Sequence, residues 1–420
     1  MAIELLTIGT ELLLGQTVDT NSAEIGRALA AAGVPVRRRT SVPDDPAAIR
    51  EAAQAALQRT GAFLATGGLG PTADDVTKKV IADLFGMPLT FRQDVWEALV
   101  ARFARAGRVP PAKNRGQAEV PQGGVILPNR WGTAPGLWLE GPPGLAILLP
   151  GVPAEMRGLL HHEVLPRLAP RAGGRVVRSR TVRTTGVPES ALAERLEGVE
   201  EEVAPLSLAY LPGLEGVDLR LTAWNLGPEE ADQRLADGAA LLTRRAREWC
   251  YGEGDDDLAA VVLAEARRAG LHLATAESCT GGGIGARLTA IPGSSEVFLG
   301  GVIAYDNQPK RSLLDVPGEL FATHGAVSEP VAAAMAAGAA RRFGAELTIS
   351  VTGIAGPDGG TPDKPVGLVF LGISIRGAVT VHRHQFPGSR EDVRSRAVQM
   401  ALFRLLKLLR TDPSPAGTTV

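Results

Sequence analysis

The sequence predicts an α/β protein of several domains, and three observations predict it. Residues 1–170 alternate short apolar runs with helical patterns, which argues for a parallel sheet covered on both faces. Residues 171–250 change to an Arg-rich β-α-β-β-α unit, small enough to be a domain of its own. Residues 251–412 resume the α/β alternation, and a chain of 420 residues has room for two to four domains.

Taken in order, "IELLTIG" is a strand and "DTNSAEIGRALAAAG" a helix, with Asp19 to Asn21 as caps and Gly33 as its stop. "VPVRRRTSV" is strand-like. "DDPAAIREAAQAALQRTG" is a helix with Pro46 in its first turn. "AFLATGG" is a strand, "DDVTKKVIADLFG" a helix and "LAILLPG" a buried strand, and a further helix runs near Pro153 to Leu168. In the middle segment "RVVRSRTVRTTG" alternates as a strand. A short helix (Pro188 to Leu196), two strands ("LSLAYLP", "VDLRLTAWN") and a long helix (Pro228 to Trp249) follow. "CYGEGDDD" reads as a hinge. Beyond it a helix ends at Gly270, and "LHLATAE", "VFLGGVIAY" and "ELTISVTG" are strands. "SEPVAAAMAAGAARRFG" is a helix capped by Ser328. "VGLVFLGISI" and "AVTVHRHQF" form a hairpin turning at Arg376–Gly377. An amphipathic helix, "SREDVRSRAVQMALFRLLKLLR", precedes a tail, "TDPSPAGTTV", expected to be disordered.

Composition excludes several classes. A net charge of −2 supplies no basic field for nucleic acid or an anionic membrane. The N-terminus lacks a basic region and carries Glu4 and Glu11, so it does not read as a signal peptide, and no uncharged apolar run is long enough to span a bilayer. Two cysteines, Cys250 and Cys279, cannot build a disulfide framework, so a cytoplasmic location is expected. Of the 44 basic residues only six are lysine. Where any positive charge would serve, this chain uses arginine, which cannot lose its proton, whereas lysine can.

"TGGLGPTADD" (Thr66 to Asp75) joins a strand to a helix. A glycine turn at a helix N-terminus presents free N–H groups to phosphate. The glycines alone also fit a tight turn capped by Asp74. Asp74 and Asp75 change the weighing. Carboxylates beside phosphate repel it unless a hard cation bridges them, as Mg²⁺ does with one or two carboxylates plus substrate phosphates. Glu11, Asp19, Asp44 and Asp45 lie at other strand ends, where ligands bind in such sheets. The reading is a metal-assisted phosphate-ester or anhydride site.

"GTELLLGQTVDTN", "VPDD", "GGLGPTADDVT", "NRGQA", "NRWGTAPG" and "LPGVPAEM" resemble the N-terminal half of the CinA family, itself similar to the MoaB/MogA molybdopterin-binding fold. Molybdopterin binders usually have Gly-Gly-Thr-Gly where this chain has Gly67-Gly68-Leu69-Gly70, which fits the CinA branch better. The resemblance implies an ADP-ribose pyrophosphatase using a divalent metal such as Mg²⁺. It places metal ligands at Glu11, Asp19, Asp44, Asp74 and Asp75, and substrate contacts at Gly68, Gly70, Thr72, Asn114, Gln117, Asn129 and Thr133.

"ATAESCTGGGIG" (Ala274 to Gly285) sets two nucleophiles side by side. Cys279 needs a depressed pKa, and no histidine of the last module is paired in a way that would supply it, so packing is its expected role. Ser278 needs a base. Lys407 lies on the charged side of the last helix, and Lys364 sits in a Pro/Gly-rich loop. Lys310, just past a buried strand, is the candidate deprotonatable amine, against the alternative of a surface lysine. A Ser–Lys pair is a known variant of the Ser–base arrangement and requires an amine that is desolvated or near other cations. Tyr305 can relay a proton or orient the amine, or be an ordinary strand-end aromatic. Gly281 to Gly283 open the next helix and offer N–H groups to an oxyanion or a phosphate.

"AESCTGGGIGARLTAIPGSS", "GGVIAYDNQPK", "GAVSEPVA", "VTGIAGPDGGTPDKPVGLV" and the last helix resemble the CinA C-terminal domain, which is similar to the nicotinamide mononucleotide (NMN) deamidase PncC. The resemblance implies hydrolysis of the NMN carboxamide to the acid plus ammonia with no cofactor. Ser278 is then the nucleophile, Lys310 the base and Tyr305 the helper, with Thr280, Gly281, Gly282, Ser295, Thr352, Gly353 and Arg394 around the substrate. The middle segment resembles a KH-type or ferredoxin-like half without a GXXG loop, which points to a spacer or dimerisation module rather than nucleic-acid binding.

The expected protein is thus a cytoplasmic, bifunctional enzyme of pyridine-nucleotide salvage and a homodimer, acting on NMN and ADP-ribose. It comprises a MoaB/MogA-like domain (1–170), a KH-type domain (171–250) and an α/β amidohydrolase domain (251–412). A pterin-binding protein and a non-enzymatic competence or DNA-repair partner are the rival readings.

Overall fold

A computed structural model describes residues 1–105 and 107–411, so the tail expected to be disordered lies, but for Thr411, outside the described residues. By internal packing the chain divides into two compact units, one of residues 1–178 with 222–234 and the other of 179–221 with 235–420.

The first sheet comprises β1 (Ile3–Ile8), β2 (Val36–Val42) and β3 (Ala62–Thr66), then, beyond a two-stranded ribbon of β4 (Leu89–Phe91) and β5 (Glu119–Pro121), β6 (Val125–Leu127), β7 (Gly136–Gly141) and β8 (Gly144–Leu149). Its order is β2-β1-β3-β8-β7-β6. β1, β2, β3 and β8 are parallel, as the β–α alternation predicts. β7 runs antiparallel to both its neighbours, β8 and β6, which corrects the expectation of a parallel sheet. The physical reason is length: only Pro142 and Pro143 separate β7 from β8, too little chain for a crossover.

β1 is buried along its whole length, so its side chains fill two cores on opposite faces. Leu5, Leu64 and Ile147 pack with Ile25 and Leu29 of the helix Thr20–Ala31, whereas Leu6, Phe63 and Leu148 pack with Ile49 and Ala53 of the helix Pro46–Thr60. Glu4, alone charged in that strand, is held by two 2.7 Å bonds from Arg59. The first helix is capped by Asp19, which accepts Ser22 N–H at 2.9 Å, and the second by Asp45 ahead of Pro46. The helix expected at 153–168 is α-helical over Pro153–Leu159 and Leu165–Leu168, with a π-helical turn between them. Pro166 has no N–H to continue the ladder.

In the middle segment β9 (Val176–Thr184), β10 (Ser207–Pro212), β11 (Val217–Leu226) and β12 (Cys250–Glu253) form a sheet in the order β10-β11-β9-β12. β12 corrects the hinge reading. "CYGE" pairs antiparallel with β9, Asp256 accepts Glu253 N–H at 2.8 Å, and Asp257 caps the helix Leu258–Arg268.

The last sheet, β13 (Leu273–Glu277), β14 (Phe298–Ile303), β15 (Leu347–Gly353), β16 (Leu368–Ile375) and β17 (Ala378–Gln385), has the order β14-β13-β15-β16-β17. β13 lies parallel between β14 and β15, and β16 and β17 close the hairpin at Arg376–Gly377, both with positive φ. The helix Arg390–Thr411 packs on the sheet through Val393, Ala397, Leu402 and Leu406. Ser328 does not cap its helix; its hydroxyl donates to Gly325 O at 2.9 Å. Among the described residues no helix is long and apolar enough to cross a membrane.

Candidate active sites

β13 ends at Glu277, and residues 278–282 turn the chain into the helix Gly283–Thr289. Gly281 (φ 62) and Gly282 (φ 92) adopt left-handed backbone there, and a Cβ on Gly282 would sit 2.9 Å from Ile303 Cδ1. The turn makes Ser278 nearly inaccessible, 7% exposed, and its N–H is tied to Val351 O at 2.9 Å.

Lys310 lies in the first turn of the helix Asn307–Leu314, which Asp306 caps, and is only 2% exposed. Its Nζ donates to Tyr305 O at 3.1 Å and Asp306 O at 3.3 Å, and Ser278 Oγ donates to the same Tyr305 oxygen at 3.5 Å. Hydroxyl and amine therefore meet across one carbonyl. Burial pushes the Lys310 pKa below the ordinary lysine value, against the opposing charge of Asp306. A neutral amine has two N–H groups and a lone pair; with both donors on carbonyls, the lone pair remains free for a proton.

Tyr305 contributes differently from the sequence expectation. Its ring is 59% exposed and its hydroxyl takes an N–H from Arg390 at 2.7 Å, so its carbonyl, not its phenol, reaches Ser278 and Lys310. Arg390 also donates to Gly356 O at 2.8 Å, and Arg394 to Thr280 O at 3.0 Å, so one helix face clamps both glycine loops. Thr352 Oγ1 is committed to Ala326 O at 2.9 Å, and Gly353 abuts Cys279, where a Cβ would stand 3.1 Å from Sγ. Ser295 is exposed in a 3-10 turn (Ser294–Glu296) and makes none of these contacts. Lys364 ties its loop to His324 O and Val327 O, and Lys407 lies over the Phe403 ring.

Glu277 is the residue that sequence reasoning passed over. It is 1% exposed and accepts Thr280 Oγ1 at 2.7 Å, Ile284 N–H at 3.0 Å and Gly285 N–H at 2.8 Å. Gly281 and Gly283 N–H groups bond Ser278 O and Thr280 O. The main-chain donors expected to face an oxyanion are thus largely taken within the turn. A carboxylate placed before a Gly-rich helix start is the signal that would have found Glu277. Glu277→Ala strands three buried donors and is expected to destabilise the protein by about 3 kcal/mol in urea unfolding, with Glu277→Gln losing less.

Cys279 is packed as its surroundings suggested, and burial pushes its thiol up to about 12. The native protein at neutral pH is therefore expected to leave this thiol unlabelled by Ellman's reagent, and denaturation to expose it.

In the first module the GGLG loop is closed by contact. A Cβ on Gly67 would stand 2.1 Å from Ile8 O, and one on Gly68 2.0 Å from Thr77 Oγ1. Asp75 accepts Gly70 N–H at 2.7 Å and Thr72 N–H at 2.8 Å, together with the Thr72 hydroxyl. Asp74 is exposed and does not cap the following helix; the nearby Thr72 hydroxyl, which itself bonds Asp75, and its own main-chain N–H hold its carboxyl below the usual range. Asp44 accepts Thr10 N–H and Oγ1 at 2.9 and 3.0 Å. The five predicted metal ligands do not form one centre, because three of them serve turns and caps; among the described residues no three His, Cys, Asp or Glu gather as a metal set. Glu11 and Asp19 do line one cavity of about 130 Å³ with Asn21, Thr66 and Gly151.

The other polar candidates form a chain: Asn114 Nδ2 to Gln117 Oε1 at 2.9 Å, then Gln117 Nε2 to Thr133 Oγ1 at 3.4 Å. Asn129 orders its own loop, accepting Trp131 and Gly132 N–H and donating to Ala134 O. Asn129 and Thr133 line a cavity of about 740 Å³ with Arg92, Arg102 and Arg105. Lys78, another of the rare lysines, joins the acidic loop to this group through Gly116 O at 2.6 Å, and burial lowers its pKa to about 8.

Residues 4–170 match the probable molybdopterin binding domain, 179–252 the damage-inducible protein CinA KH domain and 255–409 the CinA C-terminal domain. Fold and matches together define a class: a MoaB-like α/β domain, a small KH-like domain and a CinA C-terminal α/β domain in one chain. The chain is 53% identical over 409 residues, 96% of each sequence, to a CinA-like protein of Gemmatimonas aurantiaca. It is 42% identical over 424 residues, 97% of this chain and 99% of the relative, to a putative competence-damage inducible protein of Symbiobacterium thermophilum. It belongs to the CinA family. A solved competence/damage inducible protein from Agrobacterium tumefaciens, 43% identical, covers 37% of this chain and 94% of its own, with a TM-score of 0.36.

Proposed function

We propose that the chain hydrolyses the carboxamide of nicotinamide mononucleotide to the carboxylate and ammonia, with Ser278 as nucleophile and Lys310 as base. The observation that carries this reading is the buried Lys310 amine meeting the Ser278 hydroxyl on one carbonyl. Neutral Lys310 takes the Ser278 proton as Oγ bonds to the carboxamide carbon. The amine then returns a proton to the departing nitrogen, and ammonia leaves an acyl-serine. Water, deprotonated by the same amine, releases the acid and restores the serine. The pyridinium ring withdraws electrons from the carboxamide, so a modestly activated serine suffices. Arg394 and Arg390 brace the loops around the substrate.

The same reading gives the N-terminal module cleavage of the ADP-ribose anhydride to AMP and ribose 5-phosphate. Glu11 and Asp19, which share a cavity there, would hold a divalent cation, and it would supply neutralisation of the phosphate charge. The substrates are small nucleotides, and a second copy of the chain completes a homodimer in the cytoplasm. The test is ammonia release from NMN beside ADP-ribose cleavage with and without Mg²⁺. Absence of ammonia would refute the first assignment, and absence of metal-dependent cleavage the second.

A further inference from the structure

We infer that the edge strand β2 and the indole of Trp224 form a strip that binds single-stranded nucleic acid, with Arg37, Arg38 and Arg39 on its phosphates and Trp224 under one of its bases. The inference goes beyond the two reactions proposed above and does not rest on them.

β2 is the outer strand of the first sheet. Its pairing with β1 shifts between Ile3 and Glu4, so Arg37 is an extra residue opposite that step. The three arginines that follow Val36 are all exposed, where regular alternation would turn every second side chain inward. Other arginines of this unit are paired: Arg59 with Glu4, Arg157 with Glu24 and Arg178 with Asp232. Among the described residues Arg37, Arg38 and Arg39 pair with no carboxylate. Arg39 lies across Gly26, where any Cβ would collide with its guanidinium, so the helix Thr20–Ala31 yields the room that side chain occupies.

The three arginines line a groove of about 280 Å³ together with Ala30, Pro35, Val36, Val177 and Trp224, all within the first compact unit. Of the five tryptophans only Trp224 is exposed, at 55%. Arg175, exposed as well, donates to Asn225 O at 3.0 Å, and Asn225 takes left-handed backbone (φ 59), which braces the chain next to the indole.

Charges on an edge strand also deter sheet-to-sheet pairing, but that purpose needs neither an exposed indole nor a groove. Guanidiniums bind phosphate oxygens through paired N–H groups, and an aromatic face stacks on any unpaired base. Strung along a strand at about 3.3 Å per residue, the cations match a repeating phosphate charge rather than a single one. A duplex keeps its base faces inside its own stack, so the indole favours an open strand. An acidic protein segment would answer the arginines and leave the indole without a flat partner. The net charge of −2 does not oppose this, because salt at ~0.1 M confines the influence of each exposed charge to about 10 Å.

The test is the fluorescence anisotropy of a labelled oligothymidylate of about 15 nucleotides titrated with the full chain. Wild-type protein is expected to bind at about 50 mM salt and to lose most of its affinity by about 200 mM. Each of Arg37→Ala, Arg38→Ala and Arg39→Ala should weaken binding and flatten the slope of log affinity against log salt by about 0.7. Trp224→Ala should weaken it about tenfold and Trp224→Phe less, since a phenyl ring still stacks. Far-UV circular dichroism checks that each variant is folded. No binding by the wild type at low salt overturns the inference. So does an affinity unmoved by Trp224→Ala, or equal displacement by polyglutamate, which would make the strip a dock for an acidic protein. A duplex of the same length bound as tightly, or full displacement by AMP at the same nucleotide concentration, overturns it as well.

Discussion

Ser278→Ala is expected to lower ammonia release from NMN by about 10⁴-fold or more, while Cys279→Ala retains most of the activity. The two residues are neighbours in sequence, so the contrast tests position rather than proximity. Ser278 Oγ reaches the carbonyl that Lys310 also holds, whereas the Cys279 thiol is buried against Gly353 with its pKa pushed up to about 12. At neutral pH that thiol carries almost no thiolate. Stopped assays under identical substrate concentrations give the ratio directly. An active Ser278→Ala protein would transfer the chemistry to another group and end the Ser–Lys account.

Lys310→Arg is expected to lose about 10²- to 10⁴-fold in kcat, the usual worth of a positioned base. Arginine keeps the charge and cannot give up its proton, so it separates the base role from simple electrostatics. Lys310→Met removes the charge and preserves most of the side-chain length. The pH profile supplies an independent readout. For the wild type, kcat/KM should rise with pH as the amine loses its proton and level off below the ordinary lysine value, because burial lowers this pKa. Stability should move the same way. Below the folded-state pKa the amine is protonated in both states, and the cost of burying its charge is fully present. Between that pKa and the ordinary lysine value the unfolded chain binds more protons, so folding gains stability as pH rises. Urea unfolding from about pH 7 to 10 should therefore show the wild type gaining on Lys310→Met. A flat difference would mean that folding leaves the Lys310 pKa unchanged.

Local chemistry made much of this legible. Asp19 caps the helix it precedes, Pro46 opens the next, the positive-φ pair Arg376–Gly377 turns the hairpin, and the rarity of lysine singled out Lys310. Features that depend on distant partners were not legible. Glu277 looks like an ordinary polar strand end until Thr280, Ile284 and Gly285 fold back onto it. β12 is four residues long and exists because β9 is beside it. Tyr305 could not be oriented without Arg390, 85 positions further along the chain. The acids of the first module appeared equivalent in sequence, yet Asp19, Asp44 and Asp75 became acceptors for nearby N–H groups.

Arg390 and Arg394 stand on the helix that spans Arg390–Thr411, and Arg394 fastens the turn of Ser278, which lies more than a hundred residues earlier. During synthesis Ser278 therefore cannot take its final seat until β15, whose Val351 oxygen holds its N–H, and then Arg394 have joined the fold.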